Sequence, residues 1–341
     1  MSNPERPAQA GPRRLLPAII GILISLGLLY WALRGVRLED ILHHVRSARA
    51  WPLLIAVLLA TLTFPLRLIR WRVLLRHESG RPYSSGPLWH AVALGFMANN
   101  LLPLRAGELV RTYTASRLGN IRFTTVLSSI AVERIFDGLT IAALLTLSLL
   151  SPDLPDRVMV ADVSVSELAR VGGLMGGAAL LLAIAVLSAP LAAERLVRVV
   201  VPWPGMADRI VSLIEGVRQG LIVLRTPVRL IQVIFWSLAL WLVNALAFYV
   251  GFAAFDIPVS YLGALLMQGL LVLGISIPST PGFFGPFEAV IVAALALYGV
   301  PRDLAFSYAI SYHITSFVPI TVLGLWSLAR TPGGFRGLRQ A

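Results

Sequence analysis

Hydrophobic and polar residues fall into long blocks along this chain and do not alternate. Residues 15–33, 171–193, 230–255 and 304–329 contain no Asp, Glu, Arg or Lys. A helix rises about 1.5 Å per residue, so roughly 20 apolar residues match the hydrocarbon core of a bilayer. With 51–66 and 123–150, these blocks predict six membrane-crossing helices. Two more regions, 87–104 and 257–301, are apolar but broken. The second holds Gly263, Gly269, Gly274, Gly282 and Gly285 together with Pro258, Pro278, Pro281 and Pro286. That density disfavours a straight helix. Interrupted backbone at membrane depth is tolerated only where protein or a cavity surrounds it. Each broken region therefore predicts a re-entrant hairpin, near 87–117 and near 262–299. For 257–301, two ordinary broken spans are the alternative.

Arginine placement orients these elements. The loop 151–170 has four acids against two Arg and belongs outside, whereas 194–229 has six Arg against three acids and belongs inside. The stretches 67–86 and 105–122, and both tails, are Arg-rich and also belong inside. These assignments agree only if 87–104 enters and returns without crossing. The segment 34–50, with four Arg beside two acids and two His, is the misfit, since it would lie outside. The predicted fold class is an all-α polytopic membrane protein with about six full transmembrane helices plus two re-entrant hairpins. A single domain would span 15–330, with halves 15–150 and 171–329 in an inverted repeat. Cytoplasmic tails, 1–14 and 331–341, would flank it at the cell (inner) membrane. Arg6, Arg13 and Arg14 before the first block suit a retained signal anchor.

Composition supports the membrane reading. Of the 341 residues, 13% are charged, about half the share usual in soluble domains, and the mean hydropathy is +0.79. The net charge of +12 comes entirely from Arg, for the chain has no Lys. Such an excess suits cytoplasmic loops and anionic lipid headgroups, and no motif points to nucleic acid. Without Cys there is no thiolate or disulfide chemistry. His43, His44, His77 and His90 have no metal-ligand spacing. Phosphate-binding, dinucleotide and serine-hydrolase signatures are missing, so no catalytic residue, metal or cofactor is expected.

The candidate chemistry sits where charge interrupts apolar sequence. In "NNLLPLRAGELVR", Pro103 suits the first position of a returning helix, with Asn100 as its cap and Gly107 allowing close approach. Gly285 and Pro286 repeat the arrangement, with Glu288 in the first turn. Pro278, Pro281, Gly282 and Gly285 would shape the second tip. Two helix N-termini aimed at the midplane from opposite sides would attract a phosphate. Arg105 and Arg111 would grip it, with Glu108 pairing Arg111 three residues on. Glu133, Arg134 and Asp137 lie within an apolar stretch, where ionisable residues usually face a cavity or a partner. Arg67 and Arg70, beside Trp71, predict either an interfacial anchor or the mouth of a lipid path. His313 is the one ionisable group in its block and reads as a packing residue or part of the path. Glu108, Glu133, Asp137 and Glu288 would meet cationic headgroup atoms or steady the arginines.

The ordered set "RLIRWRVLL", "NNLLPLRAGELVR", "ERIFD" and "IPSTPGFFGPFE" resembles the membrane domain of lysylphosphatidylglycerol synthases, over roughly 15–330. In the two-part synthases of that family, this domain moves the aminoacylated lipid while a separate domain makes it. The resemblance implies a stand-alone, flippase-like lipid translocase acting on a membrane phospholipid or a polyprenyl-phosphate-linked lipid, with a lipid-synthesising enzyme as a candidate partner. It also implies that His313 stands where Arg is common. The alternatives are a membrane-embedded transferase and a non-transporting scaffold.

Overall fold

The computed structural model describes residues 16–77, 79–102, 106–149, 159–160, 163–164, 190–201, 203, 205–208, 211, 226–276 and 280–331. The candidate span 171–193 lies almost wholly outside them, as do Pro103, Arg105 and Pro278. The described chain is all-helical except for the two-residue strands Met159–Val160 and Val163–Ser164. Its helices are α1 (Leu16–Leu33), α2 (Leu38–Ser47), α3 (Ala50–Leu74), α4 (Ser85–Leu101), α5 (Gly107–Gly119) and α6 (Phe123–Ser148). There follow α7 (Pro190–Val200), α8 (Pro227–Phe252), α9 (Tyr261–Gly274), α10 (Pro286–Ala296) and α11 (Arg302–Arg330).

Three helical stretches among the described residues are long and apolar enough to cross a membrane: Ala50–Leu74, Pro227–Phe255 and Arg302–Arg330. A fourth exists if α1 and α2, bent by 80°, count as one span. The expectation of six is thus met in part. Helix α6 is 26 residues long but carries Glu133, Arg134 and Asp137 in its middle. The region 257–301 is neither a straight helix nor a loop: α9 and α10 flank a 3-10 turn at Pro281–Phe283.

The segment 34–50, the misfit of the charge pattern, contains a helix, Leu38–Ser47, with acids in its first turn and His44 and Arg46 in its last, charges that suit the helix dipole. Leu38, Leu42 and Val45 form an exposed apolar stripe while Ile41 is buried. His44 reaches Asp303 at 2.9 Å, which ties α2 to the start of α11. The expected span 51–66 needs correction, for α3 does not end near residue 66. It runs through Pro65 to Leu74 and carries Arg67 and Arg70 into the interior. They are therefore neither interfacial anchors nor members of a cytoplasmic loop.

Helix α3 packs along α8, α4 folds back on α5, and α9 on α10. The long helices α6 and α11 pack on the hairpins, α6 against α9 and α11 against α4. The 3-10 turn also touches α4, and a Cβ built on Gly282 would lie 3.3 Å from the Asn100 carbonyl. The two hairpin ends therefore meet.

Candidate functional site

Glycine sets the geometry of the first hairpin. A Cβ at Gly107 would collide with the Gly95 carbonyl and the Asn99 side chain, so α4 and α5 approach closely here. One turn on, Arg111 enters the interior and stacks on the Trp71 ring at 3.8 Å. Its Nη1 and Nη2 donate to Glu133 Oε1 and Oε2 at 2.8 and 2.9 Å, a bidentate pair. The expected Glu108–Arg111 pair does not form, because Arg111 turns toward α6. Glu108 is half-buried, near enough to Arg134 to attract it, and makes no ion pair among the described residues.

Helix α6 supplies the carboxylates. Glu133 and Asp137 are one turn apart and buried, while Arg134 between them is half-exposed. Arg134 Nη2 donates to Glu133 Oε1 at 2.7 Å and lies 3.0 Å from Asp137 Oδ2. From α3, the fully buried Arg70 donates to Asp137 Oδ1 at 2.6 Å and to Ser237 Oγ at 3.1 Å, and its Nη2 is 3.3 Å from Glu133 Oε1. Trp241 Nε1 donates to Asp137 Oδ1 at 2.9 Å, and Trp71 Nε1 donates to Ser129 Oγ at 2.9 Å. Sequence reading missed Ser237, Trp241, Ser129 and Phe96. They sit in apolar runs and carry no charge, so no local signal singles them out.

Arg67 differs from its neighbours. It is 9% exposed, and its nearest carboxylate oxygen, Glu133 Oε1, is 3.9 Å from Nη1. Its Nε and Nη1 have no hydrogen-bond partner among the described residues. Phe96 and Trp241 flank the guanidinium with ring centres at 4.9 and 5.7 Å. Taking a guanidinium out of water has a penalty of several kcal/mol unless an anion meets it. Four guanidiniums thus face two buried carboxylates, and the least satisfied of them is Arg67.

The second hairpin is built differently. Gly285, at φ +98°, caps α10 where Pro286 opens it, and a Cβ there would strike the Ser25 carbonyl of α1. Glu288 Oε2 accepts from Gly285 N–H at 2.7 Å, and Oε1 is 2.6 Å from His313 Nδ1. His313 Nε2 lies 2.8 Å from the Gly282 carbonyl, and Phe284 and Phe287 stack on the ring at 4.4 and 4.1 Å. The carbonyl can only accept, so Nε2 carries a proton. A second proton lies between Nδ1 and Oε1, and the couple is neutral whichever atom holds it.

At each hairpin a side-chain oxygen covers one N–H at the helix start. Asn99 Oδ1, not Asn100, accepts from Gly107 N–H at 2.9 Å. Asn100 instead donates to Thr321 Oγ1 of α11 at 3.2 Å. At α10 the protein's own carboxylate already occupies the electropositive end. The structure thus gathers Arg67, Arg70, Arg111, Glu133, Arg134 and Asp137 into one cluster with Glu108 at its edge. It places Glu288 and His313, with Pro281, Gly282 and Gly285, in a second. Among the described residues, no group of His, Asp and Glu could hold a metal ion.

Comparison with known proteins places these features. Glycosyltransferase AglD of Haloferax volcanii is 28% identical over 301 residues, covering 80% of this chain. That match spans 48% of AglD, so the chain corresponds to about half of that relative. Two UPF0104 membrane proteins of Methanothermobacter thermautotrophicus are 26% and 22% identical. They align over 89% and 84% of this chain and over 90% and 85% of their own lengths. With several helices apolar enough to cross a bilayer, this is a multi-pass membrane protein, and the match of residues 18–324 to the family described as "Lysylphosphatidylglycerol synthase TM region" makes the chain a member of that family.

Proposed function

We propose that the protein is a flippase-like lipid translocase that receives the phosphate of a membrane lipid at the arginine cluster between α3, α5 and α6. The observation that carries this reading is Arg67: a buried guanidinium with donors unmet inside a membrane protein calls for an anion. Arg134, with its side chain 45% exposed, provides the way in, and the Arg–carboxylate network holds Arg70 and Arg111 in place. The two hairpins are re-entrant and the halves 15–150 and 171–329 are inverted repeats. Reciprocal packing of α6 on α9 and α11 on α4 supports this. Both termini are cytoplasmic and the membrane is the cell membrane, as the Arg distribution favours. Discontinuous helices meeting at a shared site are a recurring transporter arrangement.

Reconstitution into liposomes with fluorescent lipids tests the proposal. The wild type makes inner-leaflet lipid accessible to dithionite, and Arg67→Gln slows this at least about tenfold. Equal rates in both would reject the assignment. A second reading, a membrane-embedded transferase acting on lipid-linked donors, draws on the name of the Haloferax volcanii relative. Turnover of a labelled lipid-linked sugar by purified protein would favour it.

A further inference from the structure

Helix α2 carries an apolar face that the described chain leaves open. Leu38, Leu42 and Val45 follow the i, i+4, i+7 spacing that puts side chains on one side of a helix. They are 69%, 46% and 41% exposed. One residue on, Glu39, His43 and Arg46 repeat the spacing and form a polar face. Ile41 and His44 point a third way, into the protein, where Ile41 is buried and His44 meets Asp303.

The position of α2 indicates what covers the open face. The 18 residues of α1 rise about 27 Å, close to the thickness of a bilayer's hydrocarbon core, so α1 crosses without help from α2. The chain then bends by 80°, and α2 runs across the direction of α1. The start of α3, the end of α8 and the start of α11 gather at the same end of the molecule. Arg302, the first residue of α11, donates to the Trp31 and Ala32 carbonyls at the end of α1 and stacks on the Trp31 ring at 4.4 Å. Arg49, between α2 and α3, donates its N–H to the Ala254 carbonyl just past α8 at 2.8 Å, and its guanidinium pairs with Asp256. Tyr30, Trp31 and Trp51 are exposed here. Such side chains collect at the boundary between hydrocarbon and headgroups. Of the four exposed arginines around α2, Arg37 pairs with Glu39 and Arg49 with Asp256. Arg34 and Arg46 make no ion pair among the described residues.

We propose that α2 lies flat on the membrane surface, with Leu38, Leu42 and Val45 inserted at the headgroup–acyl boundary and Arg34 and Arg46 on the phosphates of anionic lipids. An amphipathic helix of this kind sinks its apolar face about 5–10 Å into the interface. The bend sets the angle, and the ties to Asp303, Ala254 and Asp256 hold the helix at that level. Anionic headgroups give the arginines of 34–50 a partner outside any cytoplasmic loop, which removes the misfit in the charge pattern. The inference is independent of what the arginine cluster binds.

The chain has no Cys, so single spin labels on the full protein in lipid vesicles can read depth. Leu42→Cys, Val45→Cys and His43→Cys carry the label, in phosphatidylcholine vesicles with and without phosphatidylglycerol. Oxygen concentrates in hydrocarbon, whereas a soluble nickel chelate stays in water. The oxygen-to-nickel relaxation ratio should be at least about fivefold higher at 42 and 45 than at 43. Phosphatidylglycerol should raise the ratio at 42 by about twofold, and Arg34→Gln with Arg46→Gln should remove that gain. All three labelled positions are exposed, and 42 and 45 check each other. Labels at 42 and 45 as open to nickel as the label at 43 would overturn the proposal. Shielding of 42 and 45 from both reagents would also overturn it, because a second copy or another protein would then cover the face. Equal ratios with and without phosphatidylglycerol would overturn the assignment to anionic lipid.

Discussion

The two hairpin regions solve one backbone problem with opposite electrostatics. Each brings a glycine against a neighbouring main chain, Gly107 against Gly95 and Gly285 against Ser25. Each also covers a helix-start N–H with a side-chain oxygen, from Asn99 and Glu288 respectively. The first region then adds four arginines against two buried carboxylates and holds surplus positive charge. The second adds one carboxylate and one imidazole, stacks aromatic rings over the imidazole, and ends neutral. Ion pairs inside a bilayer carry a large desolvation penalty. Under the proposed function the surplus suits the first region to an anion, whereas the second region is internally neutral.

The largest effect should come from Glu133→Gln. It removes the anion shared by Arg111, Arg134 and Arg70 and should destabilise the protein by about 3–5 kcal/mol, read as thermal unfolding in detergent. Adding Arg111→Gln should restore part of the loss, because the two groups interact directly. Gly285→Ala should follow at about 2–3 kcal/mol, since a left-handed backbone and a carbonyl collision act together. The same conservative change in the second region, Glu288→Gln, should shift stability by about 1 kcal/mol, because an amide can still accept from Gly285 and donate to His313. If Glu288→Gln proved as damaging as Glu133→Gln, the second couple would have to be a stored ion pair and the contrast would collapse. Arg134→Ala should be mildest in stability, at about 1 kcal/mol or less, as befits a half-exposed partner.

Some of this was legible in sequence for physical reasons. Apolar blocks report on lipid, and Pro and Gly report on breaks, since both are local properties of backbone and side chain. The expected end of α3 near residue 66 fails for a physical reason. Arginine ordinarily sits in water, whereas Arg70 meets Asp137 at 2.6 Å inside the fold and Arg67 is enclosed between Phe96 and Trp241. The Glu108–Arg111 pairing failed because proximity along a helix lost to a bidentate carboxylate 22 residues away.

The sequence by itself determined that the chain is a helical membrane protein with two broken regions and a few costly charges inside apolar stretches. Only the tertiary structure decided which charges face each other. Arg70 meets Asp137 across 67 positions and Trp241 meets the same carboxylate across 104. Hydrophobic periodicity specifies which residues avoid water, but the partner of a buried charge depends on which helices pack together, and close approach at glycines such as Gly95 and Gly107 sets that.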